Sequence, residues 1–233
     1  MTKIDTPQRY ITIFQNIQET STPFHRLVGV ALDRIRNGKS KELIQRIRNE
    51  KDKAKRNDLK RGLPAICFSG VFTKRNDAAL SQHSGIICLD FDGYSSQKQM
   101  LAAKTRLMDS QYIYSVFISP SGKGLKALVL VPAEPENHTK YFKALENHFD
   151  DEHFDKTSKN VSRVCYESYD PLIHINEEAE VWTKLEEEIH TPLTRHIDRP
   201  TIPLTDENKI VDRYQSSPGS RAIFVWKVTD TRD

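Results

Sequence analysis

The chain has 233 residues, 37% of them hydrophobic and 29% charged, with 35 Lys and Arg against 32 Asp and Glu. This gives room for one large domain or one domain with appendages, and a net charge of +3 is too even to mark a nucleic-acid binder by itself. No apolar run reaches the length of a membrane span, and the start MTKIDTPQRYITIF lacks the apolar core of a secretory signal.

The first 60 residues read as a polar, helical N-terminal segment. TPFHRLVGVALDRIRNG places Leu27, Val30, Ala31 and Ile35 near helical spacing and ends at Gly38. SKELIQRIRNEKDKAKRNDLKRGLP opens at Ser40, a candidate cap. One apolar patch (Leu43, Ile44, Ile47) precedes a run carrying Lys51, Lys53, Lys55, Arg56, Lys60 and Arg61. Such a run is either a solvated helix face or an arm that meets phosphates, with Lys55, Arg56, Lys60 and Arg61 as its nucleic-acid contacts.

From Leu63 the character changes. LPAICFSGVF (63–72) and SGIICLDF (84–91) are short runs rich in β-branched and aromatic residues, bounded by Gly and Ser, and predict strands. SSQKQMLAAKTRLMDS (95–110) predicts a helix, YIYSVFIS (112–119) and LKALVLVP (125–132) two strands, ENHTKYFKALENHF (136–149) a helix, and SRVCYESYDP (162–171) a last strand. That order suggests an α+β sheet with helices on one side, in the ferredoxin-like manner. From Glu186 onward the chain is polar and punctuated by Pro192, Pro200, Pro203 and Pro218, the chemistry of a linker. Cys67, Cys88 and Cys165 sit singly in apolar segments, as the reduced thiols of a cytoplasmic protein do.

Three places could carry chemistry. In LDFDG, Asp90 and Asp92 are one residue apart, so in a strand their side chains share a face and their charges repel. A hard cation such as Mg²⁺ or Mn²⁺ would remove the conflict, whereas a turn at Gly93 or a cap on the next helix would explain the same residues without a metal. In SPSGKGLK (119–126), Ser119, Ser121, Gly122, Lys123 and Lys126 form either a hairpin turn or a phosphate cradle. It is not a Walker A loop, because it lacks that spacing and joins two strands. In HFDKTSKNVSR (153–163), Asp155 is a candidate third carboxylate and Arg163 a candidate phosphate contact, or the stretch is a surface loop. A zinc site at His148 and His153 has no Cys or tight His pair to support it. Two carboxylates, a Ser/Lys turn and a further Asp followed by Arg suit nucleotidyl transfer, in which metal-bound carboxylates serve the attacking hydroxyl and basic side chains hold the triphosphate.

The order resembles the archaeo-eukaryotic primase and primase-polymerase superfamily. Its first motif, hydrophobic-Asp-x-Asp, is Leu89-Asp90-Phe91-Asp92 here. Its second, a Ser/Gly-rich turn into a strand, is Ser119 to Lys126, and its third is Asp155 with Arg163. More narrowly, LKRGLPAICFSGVF, HSGIICLDFDG, SPSGKGLKALV and SRVCYESYDP resemble the VirE N-terminal domain over roughly residues 40–180.

The resemblance implies an α+β fold with a primase-polymerase-like mixed sheet, an RRM/ferredoxin-like core and flanking helices. The domains would be a helical segment at 1–60, a catalytic domain at 61–184 and a linker-like segment at 185–233 before a further domain. The implied activity is template-directed nucleotidyl transfer as a DNA primase or primase-polymerase of a mobile element, phage or bacterial replication system. It would use Mg²⁺ or Mn²⁺ on Asp90, Asp92 and Asp155, nucleoside triphosphates, a single-stranded template and a helicase-type ATPase partner. Against this stands an inactive relative that binds nucleotide or nucleic acid. One departure matters: the superfamily's second motif usually ends in a His that contacts phosphate, and Lys126 stands in its place.

Overall fold

The computed structural model describes residues 8–186. In chain order the strands are β1 (Tyr10–Phe14), β2 (Phe24–Leu27), β3 (Ala65–Cys67), β4 (Gly70–Phe72), β5 (Leu80–His83), β6 (Ile86–Phe91), β7 (Ile113–Ile118), β8 (Leu125–Leu130), β9 (Cys165–Tyr166) and β10 (His174–Ile175). The helices are α1 (Val28–Asn37), α2 (Lys41–Asn49), α3 (Lys53–Lys60), α4 (Gln97–Met108) and α5 (His138–Phe149).

Strict alternation along β6 and β8 builds the centre. Ile87, Leu89, Phe91, Leu125, Ala127 and Val129 lie in one buried cluster with Met100, Ala103 and Leu107 of α4 and Tyr141, Phe142 and Leu145 of α5. The intervening residues Ile86, Leu128 and Leu130, with Cys88 against them, belong to a second cluster. That cluster takes Ile11 and Ile13 from β1, Ile66 from β3, and Ala31, Leu32 and Ile35 from α1. The central sheet therefore carries α4 and α5 on one face and a second sheet with α1 on the other, the layered burial that a two-faced strand demands.

The central sheet runs β10-β7-β8-β6 and the second β2-β1-β3-β9, while β4 and β5 form a separate pair. The free edge of β6 carries one further antiparallel bridge, Phe91 to Phe154. With that bridge the order β6-α4-β7-β8-α5-bridge is the ferredoxin-like unit, its last strand cut to a single pairing. The α+β expectation holds. In the central sheet β8 lies between β6 and β7, and each neighbouring pair is antiparallel.

The reading of residues 1–60 as wholly helical is corrected. α1, α2 and α3 form as expected, but residues 10–27 make a hairpin whose β1 pairs with β3. Ile11 and Ile13 face the space between the sheets, and buried Thr12 donates to the Gly70 carbonyl (2.9 Å) and accepts from the Phe72 N–H (2.9 Å). The hairpin is thus a structural part of the domain that begins at Leu63 in the sequence reading. The linker expected at 185–233 lies outside the described residues from 187 onward. All three cysteines are free thiols, Cys67 and Cys165 buried and Cys88 half-buried.

Candidate nucleotide and metal site

Asp90 and Asp92 lie where the apolar filling between the two sheets gives way to polar residues. Asp90 continues the Ile86–Cys88 face and is 8% exposed, while Asp92, just past the strand, reaches solvent. The register partner of Asp90 on β8 is Lys126, and the Lys126 ammonium pairs with Asp90 Oδ2. Asp90 Oδ1 is buried and has no hydrogen-bond partner. The Asp92 carboxyl is pushed up by partial desolvation and by the neighbouring Asp90 charge, against the pull of Lys126 and Lys60. Burial works against charge on Lys126, yet Asp90, with Cys165 and Cys88 nearby, holds the ammonium above the usual lysine range.

The approach of β8 to Asp92 requires Gly124. A Cβ there would lie 2.7 Å from the Phe91 carbonyl oxygen and would run into Asp92 Oδ1.

The turn between β7 and β8 closes through Ser119 N–H to the Gly124 carbonyl (2.8 Å) and Gly122 N–H to the Ser119 carbonyl (2.9 Å), with Gly122 at φ +71°. Those two N–H groups are used inside the turn. The Ser119 and Ser121 hydroxyls lie 3.1 Å apart. They line a cleft of about 190 Å³ together with Lys60, Asp90, Asp92, Pro120, Lys126, Arg163, Val164 and Tyr166. Gly122 and Lys123 face a different cleft of about 470 Å³, shared with Arg48, Tyr94 and the start of α4. The turn therefore divides: Ser119 and Lys126 join the carboxylates, Ser121 lines both clefts, and Gly122 and Lys123 line the other cleft alone.

Asp155 reaches the site by backbone and leaves it by side chain. Around the Phe91–Phe154 bridge, Asp92 N–H donates to the His153 carbonyl (2.8 Å) and Asp155 N–H to the Asp90 carbonyl (2.8 Å). The Asp155 carboxylate accepts from Thr157 N–H (2.9 Å), Thr157 Oγ1 (2.6 Å) and Ser158 Oγ (2.7 Å), with Arg163 Nη2 at 3.5 Å. Partial desolvation is overcome by those donors, and its carboxyl is held below the usual range. Arg163 lines the cleft, whereas Asp155 does not.

Among the described residues no group of three or more His, Cys, Asp and Glu gathers around a metal position. The Asp90–Asp92 pair fits one hard divalent cation, since it offers two adjacent carboxylates and a buried oxygen without a partner. The expected set of three aspartates is not assembled. His148 packs on Tyr112 and Trp182, and His153 bonds Gln99 (3.1 Å), so the pair is engaged elsewhere.

The basic arm is α3. Asp52 caps it by accepting from Lys55 N–H (2.8 Å), and Leu59 packs against the Ile44–Ile47–Leu63 cluster. Lys55 and Arg61 are exposed, while Arg56 folds back onto the Glu50 carbonyl (3.0 Å). Lys60 turns into the cleft beside Asp92.

Sequence reading missed Arg48 and Tyr166. Arg48 donates to the Tyr169 carbonyl (2.8 Å) and the Ser119 carbonyl (3.3 Å), and its stem lies against Gly122. Inside a run of charges nothing marked it, although its place one residue after Ile47, at the edge of the apolar patch, was a faint signal.

Residues 58–174 match the model of the family described as BT4734-like, N-terminal domain. A search of curated proteins gave no match. Among solved structures, the AEP domain of the primase-polymerase of cyanophage S-2L aligns at 14% identity and a TM-score of 0.39, over 76% of this chain and 84% of that one. A likeness at that level carries no functional weight. The family match reaches from the end of α3 to the start of β10 and takes in every residue of the cleft, so this chain belongs to the BT4734-like, N-terminal domain family.

Proposed function

We propose that this chain is a template-directed nucleotidyltransferase, a DNA primase or primase-polymerase module of a mobile element, phage or bacterial replication system. The observation that carries the reading is the buried, partnerless Asp90 Oδ1 beside Asp92, at the floor of a cleft rimmed by Lys60, Lys126 and Arg163. Asp90 and Asp92 would hold a Mg²⁺ or Mn²⁺ ion, which when bound supplies Lewis-acid activation of the attacking hydroxyl and charge stabilisation of the leaving pyrophosphate. Lys60 and Arg163 orient triphosphate oxygens, and the Ser119 and Ser121 hydroxyls donate to them. The single-stranded template would approach along the exposed Lys55 of α3 and Arg61 just after it. The likeness to the VirE N-terminal branch, the helicase-type ATPase partner and a cytoplasmic location belong to the same proposal. No helix among the described residues is long and apolar enough to cross a membrane.

A second reading is an inactive relative that binds nucleotide or nucleic acid. It is favoured by the Lys126–Asp90 pair and by the turning of the Asp155 carboxylate into its own loop.

Incorporation of labelled nucleotides on a single-stranded template with Mn²⁺ or Mg²⁺ separates the two. The first reading predicts metal-dependent product that disappears in Asp90→Ala. Absence of product with retained nucleotide or DNA binding would establish the second.

A further inference from the structure

Lys126 is the cleft's least expected resident. It faces Asp90 by strand register, so the backbone fixes the contact, and both side chains are largely withdrawn from water, 14% and 12% exposed. Its ammonium satisfies Asp90 Oδ2 alone. Asp90 Oδ1 keeps no partner, and a buried acceptor left in that state is destabilising. Asp92 beside it adds a second negative charge to the same cleft. One carboxylate oxygen is thus answered by a tethered cation, and the other still asks for one.

What a second divalent ion would need is missing. The Asp155 carboxylate is engaged by Thr157, Ser158 and Arg163 and does not line the cleft. A first ion on Asp90 and Asp92 would use both carboxylates of the cleft, which also holds Lys60 and Lys126. A second dication would meet two ammonium groups and no free carboxylate.

Building on the nucleotidyl-transfer reading of this site, we propose that Lys126 acts as a tethered cation that takes one cation position beside Asp90. The cleft then binds a single divalent ion, between Asp90 Oδ1 and Asp92, in place of two. Lys126 is on this account a positioning residue: it fixes the orientation of the Asp90 carboxylate and sets the number of ions.

The test is titration of the full chain with Mn²⁺ in the absence of nucleotide, with free Mn²⁺ read by electron paramagnetic resonance and folding checked by thermal melting. The wild type binds one Mn²⁺ per chain, and Asp90→Asn loses it. Lys126→Met, which keeps the stem and removes the charge, binds a second ion or binds the first about tenfold more tightly or better, because the ion no longer opposes an ammonium. Lys126→Arg keeps the wild-type count and affinity. Two ions, or none, in the wild type would overturn the proposal, a result that needs no variant to fold. Unchanged binding in Lys126→Met, or Lys126→Arg behaving like Lys126→Met, would also overturn it. The incorporation assay stands apart: one tethered-cation site without product defeats only the polymerase reading, and product with two ions defeats only this one.

Discussion

Gly124 is where a single hydrogen decides the geometry of the cleft. Any side chain there meets the Phe91 carbonyl and the Asp92 carboxylate. Gly124→Ala is expected to push Asp92 out of line, costing about 1–3 kcal/mol of stability as overpacking does and weakening Mn²⁺ binding further than stability alone explains. Urea unfolding and Mn²⁺ titration of the variant check the two parts, and an unchanged Mn²⁺ affinity would remove Asp92 from the ion site. At this scale the sequence was informative. The strand periodicity of IICLDFDG put Asp90 and Asp92 on one face, and Lys126 stood out because it departs from the motif it resembles. What could not be read was its pairing with Asp90, because register between β6 and β8 is a property of two strands and the turn between β7 and β8 leaves it open.

Between elements, the single bridge at Phe154 does most to shape the site. It carries Asp155 alongside Asp90 while its own loop claims the carboxylate. The spacing of Asp155 and Arg163 in the sequence showed that they could meet but not that Thr157 and Ser158 would turn the carboxylate inward, since Ser and Thr hydroxyls near an Asp are common in any polar loop. α4 is tied down differently. Its Lys104 ammonium, buried, donates to Asp170 Oδ2 (2.7 Å) and to the Leu172 carbonyl (2.7 Å). Asp170 Oδ2 also accepts from Ile118 N–H (2.9 Å), just before the turn that carries Ser119 and Ser121. Lys104→Met leaves a buried carboxylate without its hydrogen-bonded counter-charge, with Arg48 still nearby, and is expected to cost about 3 kcal/mol, measured by urea unfolding. A cost below about 1 kcal/mol would mean that the backbone donors suffice for Asp170.

A second buried pair links β5 to α5. Gly85 N–H donates to His83 Nδ1 (3.0 Å), which leaves His83 Nε2–H to donate to His138 Nδ1 at 3.0 Å. Burial, with the Arg9 charge nearby, takes His83 down to about 4. Burial, with His83 beside it, takes His138 down to about 3. Between these values and the usual 6.5 the unfolded chain binds more protons than the folded one, so stability falls as pH drops through that window. The pair is expected to remove about 5 kcal/mol between pH 7 and pH 4.5. His138→Gln should lose less than the wild type over the same range. Equal pH slopes in the two melting series would contradict the assignment.

On the scale of the whole molecule, the division of labour differs from what the sequence suggests. Composition changes sharply at Leu63, which is why the sequence reading ended a polar segment near residue 60, yet the strands of 10–27 belong to the sheet that closes over the cleft. A five-residue alternation such as YITIF is too short to outweigh the polar residues around it, and its partner β3 lies fifty residues on. Deleting residues 1–60 as if they were an appendage removes Ile11, Ile13, Phe14, Leu32 and Ile35 from buried positions. The remainder is expected to lose cooperative unfolding and to expose the face that Ile86 and Leu128 share. A fragment beginning at Arg61 that melts cooperatively, like the full chain, would contradict this.

The central claim is that Asp90 and Asp92 meet a divalent ion and a triphosphate in the cleft between the sheets. Its most direct test is a crystal structure with Mn²⁺ and a non-hydrolysable nucleoside triphosphate, the ion located by its anomalous scattering. The account predicts one Mn²⁺ between Asp90 Oδ1 and Asp92, Lys126 still on Asp90 Oδ2, and phosphate oxygens reaching Lys60, Ser119, Ser121 and Arg163. Mn²⁺ and phosphates found elsewhere, with the Asp90–Lys126 pair undisturbed and no ion on Asp90 Oδ1, would contradict it.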